Sequence, residues 1–307
     1  MPSELDTAER GNETEAVTTV FAHQGNRSMP FDVSSFGSVA LAEVITSAAQ
    51  LTRVDRKYLV SVDIAQAVLD RLLDSHRVLV IDGRGSTTYR STYFDTADFE
   101  TARAHIQGRR RRWKARSRLY VEDQLCRLEV KTKDARGSTV KTVVDSDPGR
   151  YGTLLPSDTY FIDSVLRDRA LSHEVRALRP RAEVTYQRAT LADVQASTRV
   201  TLDWGVACTL PTGRVWVDPA YVLIETKGGS RPGLADRVLA EHRIRPNSFS
   251  KYVAGVALLD DSIPANDFLA LFGRQLHATH TTDPATSPHA PVAAADATDI
   301  FQQERAS

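Results

Sequence analysis

Polar and apolar positions alternate strictly in the middle of the chain. Between residues 112 and 120, every second side chain is basic or aromatic: Arg112, Lys114, Arg116, Arg118 and Tyr120. The side chains between them are less polar: Trp113, Ala115, Ser117 and Leu119. Because alternate side chains of a β-strand share a face, this pattern predicts a strand with one almost purely cationic face.

The next stretch repeats the alternation after a turn-prone segment at residues 122–124. One face carries Arg127, Glu129, Lys131 and Lys133, and the other carries Cys126, Leu128, Val130 and Thr132. Two alternating runs joined by a short polar turn predict a β-hairpin. This hairpin would have one charged face and one less polar face.

The rest of the chain adds further strands with helices between them. Alternation or short apolar runs predict strands at 53–60, 78–81, 88–96, 137–144, 181–191, 198–203, 215–217 and 221–227. Helical spacing of apolar residues predicts helices at 38–51, 61–73, 98–107, 157–178, 234–241 and 250–260. About eight antiparallel strands can close into a barrel lined by side chains. The predicted fold class is therefore α+β, an antiparallel β-barrel tunnel with peripheral helices.

Composition divides the chain into three parts. Residues 1–36 are polar without a sustained period, and residues 262–307 become rich in Ala, Thr, Pro and His. Such segments lack the regular apolar positions that a core requires, so both are predicted to be disordered. Residues 37–261 are predicted to form the tunnel domain.

Overall charge and cysteine content exclude several classes of protein. The 39 basic residues balance 39 acidic ones, so a globally basic nucleic-acid binder is not indicated. The two cysteines, Cys126 and Cys208, lack CxxC spacing, which argues against a disulfide framework or a zinc site and favours small core residues. No signal peptide and no apolar run of about 18 residues is apparent, so a soluble, cytoplasmic protein is expected.

The cationic face has two interpretations. Most charged faces simply point at water. However, like charges directly opposite on neighbouring strands are destabilising, so a solvated sheet face usually mixes signs. Arg and Lys make strong, charge-assisted hydrogen bonds to phosphate. The pattern therefore favours a phosphate site lined by strands over a solvated face.

The ordered series of motifs resembles the VTC domain of polyphosphate polymerases, a branch of the CYTH or triphosphate tunnel metalloenzyme superfamily. The resemblance spans roughly residues 53–260. The early motifs are Arg56-Lys57-Tyr58, Tyr93-Phe94-Asp95, Lys114-Ala-Arg116-Ser-Arg118-Leu-Tyr120 and Glu129-Val-Lys131-Thr-Lys133. The later ones are Lys141, Tyr186-Gln-Arg188, Arg199-Val-Thr-Leu-Asp203, Glu225-Thr-Lys227 and Ser248-Phe-Ser-Lys251-Tyr252. Where the superfamily has an N-terminal ExExK signature, this chain has Arg53, Asp55 and Lys57, a departure that resembles the VTC branch.

The resemblance implies a tunnel that binds triphosphate or polyphosphate. The implied phosphate-binding residues are Lys57, Lys114, Arg116, Arg118, Lys131, Lys133, Lys141, Tyr186, Arg188, Arg199, Lys227 and Lys251. The implied catalytic set is Lys57, Arg116, Arg118, Lys131, Lys141, Arg188, Arg199 and Glu225. Glu225, with Glu129 as a second candidate, would hold Mn²⁺ or Mg²⁺. An internal salt bridge to a neighbouring cation is the alternative role for either carboxylate.

The implied function is a metal-dependent polymerase that moves the γ-phosphate of ATP onto polyphosphate. A tripolyphosphatase or nucleoside triphosphatase, and a non-catalytic polyphosphate or inositol-phosphate binding module, are the alternatives. Strict alternation without a nucleic-acid-binding signature argues against nucleic acid as the partner. Eukaryotic family members work in membrane complexes, so a separate membrane protein is a candidate partner, although this chain shows no segment for membrane insertion.

Overall fold

A computed structural model of the protein describes residues 28–48, 54–135, 139–171 and 175–281. Its strands are β1 Ser38–Val39, β2 Val54–Ser61, β3 Arg77–Leu79, β4 Ser86–Asp95, β5 Arg112–Tyr120, β6 Leu125–Lys133, β7 Thr139–Ser146, β8 Arg179–Asp193, β9 Thr198–Leu210, β10 Gly213–Val217, β11 Tyr221–Gly228 and β12 Leu276–His280. Its α-helices are α1 Leu41–Ala48, α2 Val62–Asp70, α3 Glu100–Ile106, α4 Pro156–Asp168, α5 Leu234–Glu241, α6 Lys251–Leu259 and α7 Asn266–Leu269.

Eight strands form one continuous antiparallel path in the order β7, β6, β5, β4, β8, β9, β11 and β2. This confirms the predicted sheet of about eight strands with helices inserted between them. Strands β10 and β12 extend from the second half of β9, and β3 and β1 extend from the end of β8. In the described part of the chain, no backbone pairing joins β2 to β7, so hydrogen bonds do not close the predicted barrel.

The register of the central hairpin confirms its charged face. Arg112 lies opposite Lys133, Lys114 opposite Lys131, and Arg116 opposite Glu129. On the reverse face, Trp113, Ala115, Leu128 and Val130 are buried. They pack into one apolar cluster with Ile162 and Leu166 of α4. The helix therefore covers the apolar side of the hairpin and leaves its charged side to face inward.

Other helices cover the rest of the outer sheet surface in the same way. Helix α6 contributes Tyr252, Val253 and Val256 to a cluster with strand residues that include Val184 and Cys208. Helices α2 and α5 pack on β2 and β11 in a second cluster. Both cysteines are buried, as predicted for small core residues.

Local chemistry explains where individual helices begin and end. The hydroxyl of Ser61 accepts a hydrogen bond from the Ile64 backbone N at 3.4 Å, which makes Ser61 the N-cap of α2. The predicted helix 157–178 ends earlier, at Asp168. Ala170 adopts the left-handed φ of 51°, and the Leu171 N–H bonds back to the Leu166 carbonyl at 2.8 Å. This reversal stops the helix, although apolar spacing continues beyond it.

The structure differs from the predicted boundaries at both ends of the domain. Phe31 and Phe36 are buried, with Phe31 packed edge-on against Trp204 at 5.3 Å between ring centroids. At the other end, residues 262–281 include α7 and β12, where Phe268 and Leu276 enter the main core cluster. A few well-placed apolar side chains anchor each segment, which average composition does not reveal. Residues 1–27 and 282–307 of the predicted disordered segments lie outside the described residues.

Truncation tests the C-terminal boundary. A chain ending at residue 265 would lose Phe268, Leu276 and the pairing of β12 with β10. Removing one large buried apolar side chain costs about 3 to 5 kcal/mol, so we expect a lower free energy of unfolding and a melting temperature reduced by several degrees. Thermal denaturation measures the change, with a chain ending at residue 281 as the control. Equal melting temperatures for the two truncated chains would contradict the structural role of β12.

No helix in the described ranges combines the length and the apolar character needed to cross a lipid bilayer.

Candidate functional site

Cationic side chains converge on the inner face of the curled sheet. Cross-strand partners share a face, and the registers place Lys141, Lys131 and Lys114 in one row and Glu225 beside Lys57 in another. The same face continues through Tyr93, Tyr89, Tyr186 and Arg188. The predicted site residues that share this inner face are Lys57, Lys114, Arg116, Arg118, Glu129, Lys131, Lys133, Lys141, Tyr186, Arg188, Arg199, Glu225 and Lys227.

Strands that are distant along the sheet meet across this face. Lys57 on β2 donates from Nζ to the Phe249 carbonyl at 2.9 Å, and Lys114 on β5 donates to the Ser250 hydroxyl at 3.1 Å. Burial lowers the pKa of Lys114 well below its usual value, and the Lys57 and Lys131 charges lower that pKa further. The sheet therefore curls into a tunnel, with the segment before α6 lying against both walls.

Glu129 is the centre of one ion-pair group. It is 1% exposed, its Oε2 accepts from Nε and Nη2 of Arg116 at 2.8 and 2.5 Å, and its Oε1 accepts from Lys141 at 3.0 Å. Burial alone would raise its pKa, but the charges of Arg116, Arg118 and Lys141 hold the pKa of Glu129 below its usual range. Arg116 also donates from Nη1 to the Tyr93 hydroxyl at 2.7 Å. Both oxygens of this carboxylate are thus bound to cations.

A second group surrounds Asp203, which is fully buried. Its oxygens accept from Nε and Nη2 of Arg188 at 2.6 and 2.8 Å and from Lys251 at 2.6 Å. Lys251 lies 4.3 Å from the Tyr186 ring centroid, and the Arg188 guanidinium lies 5.2 Å from the Tyr186 and Tyr89 rings. The predicted site set omits Asp203. Its signal in the sequence is that it is the single carboxylate of β9, at the end of the Arg199–Asp203 motif.

Glu225 is less completely paired than the other two carboxylates. Its Oε1 lies 2.5 Å from Lys227, whereas its Oε2 lies 3.7 Å from Nη2 of Arg188, beyond hydrogen-bond distance. The charges of Lys227, Arg188 and Lys57 hold the pKa of Glu225 well below its usual value in spite of its burial. The carboxylate is therefore ionised near neutral pH and keeps one oxygen for a further cation.

The carboxylates differ in how well they suit a divalent metal. Among the described residues, no group of three or more His, Cys, Asp or Glu side chains could enclose an ion. Mg²⁺ in phosphate enzymes is usually held by one or two carboxylates together with phosphate oxygens. The open Oε2 of Glu225 suits such a shared site. At Glu129, a metal would have to displace Arg116 or Lys141, so that carboxylate fits the alternative role of an internal ion pair.

The tunnel charge predicts a pH dependence for anion binding. Burial lowers the pKa of Lys227 to about 8, and Glu225 only partly opposes that shift. Lys227 therefore loses its charge as the pH rises through about 8, and we expect tripolyphosphate affinity to fall up to about tenfold per pH unit above it. Isothermal titration calorimetry at pH 7 to 9.5 measures this change. In Lys227→Arg the charge persists over that range, so its profile should be flatter; parallel profiles would contradict the assignment to Lys227.

Comparison with known proteins identifies the family of the chain. The family model described as VTC domain matches residues 52–260. No curated protein matches the chain. Among solved structures, HpAC1 from Hippeastrum, described as having a dominant triphosphatase activity, is 19% identical, with 69% of this chain and 97% of that chain covered and a TM-score of 0.43.

Two further structures are similar to the chain. The bh2851 protein from Bacillus halodurans, a candidate adenylate cyclase, is 16% identical over 65% of this chain and 96% of its own, with a TM-score of 0.41. The PH1819 protein from Pyrococcus horikoshii OT3 is 11% identical over 62% of this chain and 86% of its own, with a TM-score of 0.32. Since the family match covers more than half of the chain and contains every strand of the cationic tunnel, the protein belongs to the VTC domain family.

Proposed function

We propose that the protein is a metal-dependent polyphosphate polymerase that transfers the γ-phosphate of ATP onto a polyphosphate chain inside the tunnel. The main support for this proposal is that Arg118 is buried without an ion-pair partner in the described part of the chain. Its side chain is 7% exposed and donates from Nε to the Ser91 hydroxyl at 3.1 Å. Within the described residues no carboxylate forms an ion pair with it. A buried charge without a counter-charge in contact is costly, so a bound anion is the natural counter-charge.

The lumen suits a linear polyanion rather than a single phosphate. Unlike Arg118, the neighbouring Arg116 is already held by Glu129, and Arg188 is held by Asp203. These pairs fix the guanidinium planes and leave other N–H groups for phosphate oxygens. Lys57, Lys114 and Lys131 come from three strands. Desolvation lowers the pKa of Lys114 and of Lys131, and the Lys57 charge lowers both further, an effect that a bound polyanion would oppose. Rows of such cations would hold consecutive phosphates.

Phosphoryl transfer needs positioning and charge neutralisation more than it needs a covalent partner from the protein. A terminal phosphate oxygen of the growing chain would attack Pγ of ATP, the bond from Pγ to the bridging β,γ oxygen would break, and ADP would leave. Arg forks orient the phosphates, and Lys side chains supply compact charges. Glu225 would hold Mn²⁺ or Mg²⁺, which neutralises charge on phosphate oxygens when bound.

The test is ³¹P NMR of the purified protein with ATP and Mn²⁺, with and without a short polyphosphate primer. Growth of mid-chain phosphate signals as ADP accumulates, abolished by EDTA, is the expected result. Orthophosphate as the sole product would contradict the proposal and favour a triphosphatase. Shifted ligand resonances without turnover would instead favour a binding module. Competition by an oligonucleotide serves as a specificity control, because the proposal gives nucleic acid no role.

A further inference from the structure

Asp203, like Glu129 and unlike Glu225, has no carboxylate oxygen left for a ligand. It is fully buried, and each of its oxygens accepts at least one short hydrogen bond from a cation. Glu225, by comparison, keeps one oxygen beyond hydrogen-bond distance of its nearest cation. Direct contact of Asp203 with phosphate or metal would require breaking an existing ion pair. Its effect on a ligand must therefore pass through the groups that it holds.

The first of these groups is the Arg188 guanidinium. Asp203 lies directly opposite Arg188 in the register of β8 and β9 and accepts from its Nε and Nη2. A bidentate pair of this kind fixes both the position and the plane of the guanidinium. Nη1 is then the arm that remains for a phosphate oxygen. Without the carboxylate, Arg188 would be free to turn toward Glu225, 3.7 Å from its Nη2.

The second group is Lys251, the first residue of α6. Its bond to Asp203 ties the start of this helix to the tunnel wall, beside the Phe249 and Ser250 contacts made by Lys57 and Lys114. Asp203 thus joins two predicted phosphate contacts that belong to different elements, a strand and a helix. Their separation from each other depends on one shared carboxylate.

We infer that Asp203 is a positioning residue of the tunnel, which fixes the relative geometry of Arg188 and Lys251 for phosphoryl transfer without touching the phosphates or the metal. This inference rests on the proposed polymerase function. A positioning residue and a binding residue differ in what their removal does to affinity. Removing the negative charge makes the lumen more positive, so polyanion affinity should be kept or increased, whereas misplacement of the two cations should slow the reaction.

The test uses Asp203→Asn, which preserves size and removes charge. We expect tripolyphosphate to bind at least as tightly as to the wild type by calorimetry, and kcat with ATP and primer to fall about 100-fold, the scale of a small misplacement of reacting groups. Asp145→Asn is the matched control. It removes an exposed carboxylate that pairs with Arg127 on the neighbouring strand, and should leave both quantities unchanged. A parallel loss of affinity and turnover, or an unchanged kcat, would overturn the inference.

A double variant tests whether Asp203 acts through Lys251. If it does, Asp203→Asn combined with Lys251→Met should be no slower than the slower single variant, because coupled residues are not additive. Fully multiplied losses would contradict the shared role. Should Asp203→Asn fail to fold by circular dichroism, Asp203→Glu keeps the charge, shifts the carboxylate, and is expected to show the same split between affinity and kcat.

A binding measurement keeps this inference separate from the proposed function. Tripolyphosphate should raise the melting temperature of Asp203→Asn at least as much as that of the wild type, because the ligand replaces the missing negative charge. A smaller rise would count against Asp203 as the counter-charge of Arg188 and Lys251. If the wild type showed no turnover in the ³¹P experiment, the polymerase function would be refuted. The thermal comparison would still test whether Asp203 is the counter-charge of Arg188 and Lys251.

Discussion

Glu225→Gln is expected to leave tripolyphosphate binding nearly intact and to reduce metal-dependent turnover by about 10²- to 10³-fold, the usual cost of losing one electrostatic contributor to a transition state. Glutamine has almost the same shape and still offers an oxygen to Lys227, which lies 2.5 Å from Glu225. An uncharged amide, however, is a poor ligand for Mg²⁺ or Mn²⁺, which favour carboxylates in phosphate sites. The basic lumen that binds the anion remains.

Calorimetry gives the tripolyphosphate affinity, and ³¹P NMR at increasing Mn²⁺ gives the turnover and the half-saturating metal concentration. Glu129→Gln is the informative comparison, because Glu129 is bound through both oxygens to Arg116 and Lys141. That variant should lose thermal stability while its half-saturating Mn²⁺ concentration stays near the wild-type value. An unchanged rate for Glu225→Gln would remove this carboxylate from the mechanism, and a shifted metal requirement in Glu129→Gln would restore it as a metal ligand.

Arg118→Ala should weaken tripolyphosphate binding by about 10- to 150-fold while the fold is kept. That range corresponds to the roughly 1.5 to 3 kcal/mol of a hydrogen bond to a charged group. The described structure gives Arg118 a single hydroxyl partner and aromatic contact with Tyr89 at 5.2 Å, so its removal strands no carboxylate. Arg188 is a less clean target, because removing it would leave Asp203 with Lys251 alone.

Arg127→Ala is the matched control for Arg118→Ala. Arg127 lies directly opposite Arg118 on β6 but is more exposed and pairs with Asp145 at 2.9 Å. Exposed pairs of this kind contribute little, so affinity should change less than about twofold. Thermal melts of both variants check that the fold is intact. Equal losses of affinity in the two variants would show that net charge, rather than the buried position of Arg118, governs binding.

The strand content could be predicted because the β-period of two is a strong signal where one face is charged and the other packs under a helix. Trp113 and Leu128 face α4, while Arg116 and Glu129 face the lumen, so alternation and burial agree. The bounds of α5, residues 234–241, are those predicted, because its apolar positions coincide with its contacts. The basic motifs lie on strands whose registers bring most of their cationic side chains to one inner face.

Other features depend on contacts that no local pattern contains. Whether the barrel closes is decided between β2 and β7, which are distant in sequence. Glu129 has both carboxylate oxygens in ion pairs, whereas Glu225 has one oxygen beyond hydrogen-bond distance of a cation. This difference depends on which cations reach each oxygen. Asp203 was missed because its partners lie on β8 and α6. The α7 and β12 segments gain their order from apolar side chains that enter a core built by the rest of the chain.

The pairing of β2 with β11 has a consequence for how the protein is made. Residues 54–61 of β2 pair with residues 221–228 of β11. Of the eight strands in the path, β2 is synthesised first and β11 last, so β2 stays unpaired until β11 has been made. Pairings across such long sequence separations form slowly, since loop-closure entropy is lost before contacts compensate for it. Meanwhile the unpaired strand resists aggregation, because Asp55, Arg56 and Lys57 place charges along it. Asp55 and Lys57, which share the tunnel face with Lys227 and Glu225, thus also protect the nascent chain.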